Sequence, residues 1–143
     1  MILSLAFING FQKVISEKVF SFWGHIRIQH FEPFRVSIAE ETAIRRNDTV
    51  RQNLRTFASV ADVQAFATKS AILNANGTIE GVLLKGVDSS YPFPRLQGFL
   101  QKGRWMQFPD SGYASEIVIS AYIAKQLKLD VGQGLLIYFF QPG

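Results

Sequence analysis

Residues 60–87 read Val60-Ala-Asp-Val-Gln-Ala-Phe-Ala-Thr-Lys-Ser-Ala-Ile-Leu-Asn-Ala-Asn76-Gly77-Thr-Ile-Glu-Gly-Val-Leu-Leu-Lys-Gly-Val87. Two extended runs, Val60 to Ala75 and Thr78 to Val87, flank Asn-Gly, the dipeptide that most readily accepts the positive φ angles of a type I′ turn. A two-residue loop also sets the register: Ala71 faces Val82, Lys69 faces Leu84 and Phe66 faces Val87. The expectation is a long antiparallel hairpin.

Downstream of it, Tyr91-Pro-Phe-Pro94 breaks the pattern, a short helix is expected over Leu96 to Leu100, and Gly103 stops it. A strand then runs from Glu116 to Ile119, Ser120 caps a helix from Ala121 to Leu129, Gly132 and Gly134 make a turn, and Leu135 to Phe140 form an apolar strand. Strand, helix and strand in so short a span predict a split βαβ unit, and with the hairpin an α+β fold.

Upstream, Met1-Ile-Leu-Ser-Leu-Ala-Phe-Ile8 is apolar apart from Ser4, and the first charge is Lys13. Eight residues are too few to span a bilayer, which takes about 20, and no basic region or cleavage site marks a secretory signal. The run suits either the last two turns of a membrane helix or a helix buried in a core. Phe11, Val14, Ile15, Val19 and Phe22 then recur at helical spacing around Lys13, Glu17 and Lys18, and Gly24 after Trp23 is a helix stop. Beyond it His25, Arg27 and Gln29 alternate with Ile26, Ile28 and His30, the pattern of a half-buried strand that Pro33 ends. Residues 35–46 are mixed, a short strand or loop. Asp48 reads as the N-cap of a docked helix with Val50, Leu54 and Phe57 on one stripe and Arg51 and Arg55 beside it.

With 143 residues, 48% hydrophobic and 18% charged, the composition is that of a folded domain, not of a disordered chain. Thirteen Phe must fill a core or cover a surface that meets protein or lipid. A net charge of +4 does not make nucleic acid the default partner. The absence of Cys removes thiol nucleophiles, zinc ribbons and iron-sulfur clusters.

Catalytic chemistry finds little purchase. His25 and His30 are the only histidines, and a spacing of five on one strand sends them to opposite faces, so they do not share a metal from there. Gly81-Val-Leu-Leu-Lys85-Gly86 is not a phosphate loop, because its Lys precedes the second Gly and lies in a strand. Glu40-Glu41 read as a solvated pair. Arg45, Arg46, Arg51 and Arg55 form the basic cluster; a phosphate or lipid-headgroup contact is conceivable there, but Glu40, Glu41 and Asp48 dilute it and no aromatic residues interleave it for stacking on bases.

Three blocks resemble a known family. Ile2-Leu-Ser-Leu-Ala-Phe-Ile-Asn9-Gly10-Phe11, leading into Gly24-His-Ile-Arg-Ile-Gln29, resembles the end of the first membrane helix and first periplasmic strand of lipoprotein-releasing, LolC/LolE-type ABC transporter permeases. Ala58-Ser-Val-Ala-Asp-Val63 with the hairpin, and Leu100-Gln-Lys-Gly103-Arg-Trp with Glu116 to Gly132, resemble that family's second and third blocks, in the same order. The resemblance implies a MacB-like periplasmic core domain over residues 24–143, incomplete at its C-terminus, preceded over residues 1–23 by the end of a membrane helix and a stalk. It implies no catalytic residue and no cofactor, ATP being bound by a separate cytoplasmic ATPase subunit. It implies a second permease subunit, identical or not, a lipoprotein substrate, a periplasmic carrier and a place at the bacterial inner membrane with this segment in the periplasm. It places the path of the acyl chains at Leu5, Phe7, Ile8 and Phe11. An FtsX-like regulator of a cell-wall hydrolase and a MacB-like efflux permease are alternatives on the same domain, and a free-standing enzyme is disfavoured by the separated histidines.

Overall fold

The computed structural model describes residues 10, 12–14, 20–31 and 42–141. Its ordered elements are α1 (Asp48–Arg55), β1 (Phe66–Ala75), β2 (Thr78–Val87), a 3-10 helix (Phe93–Phe99), α2 (Ala121–Gln126) and β3 (Leu136–Phe139). The chain divides into one unit of Met1–Ile28 with Pro92–Phe99 and another of Gln29–Tyr91 with Leu100–Gly143.

The hairpin forms in the expected register. Asn76 and Gly77 carry φ of 51° and 75°, and Ala71 pairs with Val82, Lys69 with Leu84 and Phe66 with Val87. It is shorter at its open end than the apolar run suggested, beginning at Phe66 and not at Val60. Side chains there compete with the ladder: Asp62 accepts from its neighbour Val63 N at 2.8 Å and from Gln64 Nε2 at 2.6 Å, while Asp88 accepts from Ser90 N at 2.9 Å.

Among the described residues β1 is the middle of an antiparallel sheet ordered β2-β1-β3, with β3 entering so that Leu73 pairs Ile137 and Ile72 pairs Tyr138. One face carries Ala71, Leu73 and Ala75, all buried, and packs with Val82 and Ile137 against Leu127, Ile123, Ile119, Leu129 and Leu135. Leu73 and Leu127 are fully buried; truncating either to Ala costs about 2–5 kcal/mol.

The split βαβ unit is not what forms. Residues 116–119 are not a strand, and the sheet among the described residues is ordered β2-β1-β3 without them. Their alternation survives as burial, Ile117 and Ile119 half-buried and Glu116 and Val118 exposed. Ser120 caps α2 as expected, its Oγ accepting from Ile123 N at 3.1 Å, but the helix ends at Gln126, short of Leu129. Leu129 N then bonds to Ala124 O at 2.9 Å and Lys128 N to Lys125 O at 3.3 Å. That pair is a Schellman close, with Lys128 at φ 51° where glycine is usual.

Other expectations are corrected as well. The N-cap of α1 is Asn47, whose Oδ1 accepts from Val50 N at 3.1 Å, and Asp48 sits in the first turn. The helix closes at Thr56, so Phe57 falls beyond it and is exposed, as is Val50; the half-buried side carries Arg51 and Leu54. Residues 26–30 form no strand, and Ile26, Ile28 and Phe31 are exposed; among the described residues no strand pairs with them. In the first unit residues 20–23 are helical and Gly24, at φ 82°, closes them with Gly24 N on Phe20 O at 2.9 Å. The 3-10 helix begins three residues earlier than expected, with Pro94 in the first turn where no N–H is needed, and buries Leu96.

Candidate functional site

Leu5, Phe7, Ile8 and Phe11, the expected acyl-chain path, lie outside the described residues, as do Glu40 and Glu41. What is described nearby is an aromatic group at the end of the first helix. Phe20 stacks on His25 with centroids 4.6 Å apart, Phe22 meets Trp23 edge-on, and the Arg27 guanidinium lies 5.2 Å from the Trp23 ring centroid. His25 is thus a stacking partner, and both it and His30 are exposed. No group of three or more metal-ligating side chains exists among the described residues, and no described helix is long and apolar enough to cross a membrane.

Carboxylates lie near two arginines of the basic cluster, Arg46 and Arg51. Arg46 Nε reaches Asp48 at 2.9 Å, which raises its already high pKa. Asp88 is held below the usual carboxylate range by the Ser90 hydroxyl and amide, with Arg51 and Arg46 adding to it. Arg51 and Arg55, one turn apart, are unequal: Arg51 is half-buried and Arg55 exposed. These carboxylates offset part of the cluster's charge, which weakens it as a phosphate site.

Within the β2 strand, Lys85 lies where the false phosphate loop was noted. Its Nζ sits 5.2 Å from the Phe66 ring centroid and 5.0 Å from that of Tyr91, and donates to Tyr91 Oη at 3.2 Å. Burial raises the Tyr91 pKa, so the phenol stays neutral. The lysine clamps the exit of β2.

Two further ties fix the loops around the sheet. Asn76 Nδ2 donates to the carbonyls of Leu127 and Lys128, both at 3.0 Å, so the hairpin turn caps the C-terminus of α2. Arg104 grips Glu116 through both nitrogens, at 2.5 and 3.0 Å, and Gln107 N adds a third bond at 3.1 Å. Those partners hold the Glu116 pKa below its usual value. A cavity of about 340 Å³ beside them is lined by Gln107, Phe108, Tyr113, Ser115 and Glu116. The one carboxylate in it is committed to Arg104. Gly103, at φ 80°, turns the approach to this loop, and a Cβ there would lie 3.2 Å from both Val131 methyls.

The sequence identified Asn76 as a turn residue and gave no sign of its amide's second task, because the helix end it caps lies 51 residues away. Lys128 was equally silent, since glycine is the usual signal for the left-handed position it occupies.

No curated protein and no solved structure matches the chain. The family of the MacB-like periplasmic core domain matches residues 1–141. Such domains are parts of ABC transporter permeases, components that are typically non-enzymatic, are normally anchored in a membrane and work with a cytoplasmic ATPase. With a match over 141 of its 143 residues, the chain belongs to the MacB-like periplasmic core domain family.

Proposed function

We propose that this chain is the extracytoplasmic part of a permease that couples ATP hydrolysis by a separate subunit to release of acylated lipoproteins from the inner membrane. The family membership carries the transporter part. The lipoprotein part rests on the apolar run Met1–Ile8 followed by Asn9-Gly10-Phe11, in which Leu5, Phe7, Ile8 and Phe11 offer apolar surface to an acyl chain. The permease acts as one of a pair, identical or not, and hands its cargo to a periplasmic carrier. The work of the domain is docking and transmission of movement, and it binds no cofactor.

Photo-crosslinking amino acids at Phe7, Ile8 and Phe11, with Phe57 as the control, test this in cells fed an alkyne-tagged fatty acid. Adducts that carry the tag at the first three positions and not at Phe57 are expected. Adducts with an untagged cell-wall hydrolase would replace the lipoprotein reading with the regulatory one, and an efflux permease would give no tagged adduct. The ATPase assignment predicts in addition that calorimetry of the purified chain detects no ATP binding; a measurable heat of binding overturns it.

A further inference from the structure

The asparagine that ties the hairpin turn to α2 is also placed for chemistry on itself. Of the described asparagines, Asn47, Asn53, Asn74 and Asn76, Asn76 alone precedes glycine. Glycine leaves its own amide nitrogen unshielded and its dihedrals free, so an asparagine in front of it is the form of this thermolabile residue most open to attack by the chain itself. Asn76 and Gly77 lie beyond the last ladder pair, Ala75 with Thr78. Both are exposed, and a Cβ built on Gly77 would meet nothing within 4 Å. A cavity of about 390 Å³, lined by Asn74, Ala75, Asn76, Gly134, Leu135 and Leu136, opens beside them and gives water access to the turn.

Against that exposure stands the anchoring of the side chain. Nδ2, the group that would have to leave, donates to the carbonyls of Leu127 and Lys128, both at 3.0 Å. Turning Cγ of Asn76 toward the Gly77 nitrogen breaks both bonds.

We infer that Asn76 is a site of spontaneous deamidation, that its rate is set by how often the cap on α2 opens, and that its product cannot close the cap again. With the side chain released, the Gly77 nitrogen attacks Asn76 Cγ. The N–Cγ bond forms, the Cγ–Nδ2 bond breaks, and Nδ2 departs as ammonia with the proton from Gly77 N. Water then opens the five-membered imide, its oxygen staying on the carbonyl carbon it attacks and one hydrogen returning to Gly77 N. Opening at Cγ gives aspartate; opening at the backbone carbonyl gives isoaspartate, whose main chain runs through Cβ and Cγ. The sum is asparagine plus water to acid plus ammonia, with no oxidant or reductant. Neither product keeps an amide N–H for the two carbonyls, and the aspartate sets an acceptor-only carboxylate against them. Isoaspartate adds a main-chain atom to a turn whose length fixes the strand register.

Mass spectrometric peptide mapping follows Asn76 in the purified chain held in warm, mildly alkaline buffer, with and without guanidinium chloride. With two hydrogen bonds each worth roughly a factor of five, a gain of one mass unit at Asn76 is expected about 25-fold more slowly in the folded chain than in the unfolded one. The converted fraction, separated by its added negative charge, should melt below the fresh protein. Lys128→Pro, which cannot hold φ at 51°, displaces the acceptor carbonyls, and Ser120→Ala loosens α2 from its other end; both should speed the folded-state reaction severalfold. Equal rates in folded and unfolded chains, or no gain at Asn76 in the folded chain after about a hundred half-lives of the unfolded one, overturn the inference. A converted fraction that melts like the fresh protein, or slowing that survives both substitutions, overturns the role given to the cap.

Discussion

Asn76 holds φ at 51° in the hairpin turn and at the same time donates through Nδ2 to two carbonyls at the end of α2. The two roles separate by substitution. Asn76→Gly keeps the turn, since glycine accepts positive φ freely, and removes only the donors; a loss of about 1–3 kcal/mol is expected in urea unfolding. Asn76→Asp also tolerates the turn but points a carboxylate at two carbonyl oxygens, so it should lose more than Asn76→Gly. At Lys128 the sign reverses: a side chain held at φ 51° costs about 1–2 kcal/mol, and Lys128→Gly should return most of it, provided the Lys128 carbonyl stays on Asn76. The turn was legible because Asn-Gly is a local signal read within four residues. The cap was not, because nothing local marks a carbonyl that is satisfied from another part of the chain.

Among the elements, period-two alternation proved to report direction more reliably than pairing. Residues 116–119 half-bury Ile117 and Ile119 as their spacing implies, yet they join no ladder among the described residues. In place of a ladder, Arg104 and Gln107 N hold Glu116. A depressed pKa means that this tie contributes stability at pH values above the ordinary glutamate range and loses it as the pH falls through the lower folded-state value. The loop should therefore begin to open below about pH 4.3, the ordinary glutamate value; hydrogen exchange at Gln107 N rising faster there than in Glu116→Gln, which lacks the titration, checks it. For α1 the apolar stripe misled for a related reason. Arg51 occupies the half-buried side with Leu54, and hydrophobic spacing does not register a cation placed there. Ser120 was readable because an N-cap is local, and Ser120→Ala should cost about 1 kcal/mol.

For the whole molecule, the apolar opening Met1–Ile8 reads either as a core helix or as the end of a membrane span, and the two make opposite demands on the rest of the chain. Among the described residues, the buried cluster of Leu73, Ala75 and Leu127, with Val82, Ile119, Ile123, Leu129, Leu135 and Ile137 packed on it, spans residues 73–137. The end of a membrane span would add nothing to such a cluster. Removing residues 1–10 should then leave the far-UV circular dichroism of the sheet and the slow exchange of the Leu73 amide unchanged, while solubility rises with loss of an apolar segment suited to lipid. A core helix would instead leave a cavity on removal, at a cost of several kcal/mol in a chain whose total stability is only about 5–15 kcal/mol. Collapse of the Leu73 protection in the shortened protein would put the opening segment in the core and withdraw Leu5, Phe7 and Ile8 from any lipid path; persistence of that protection leaves lipid as the surface they meet.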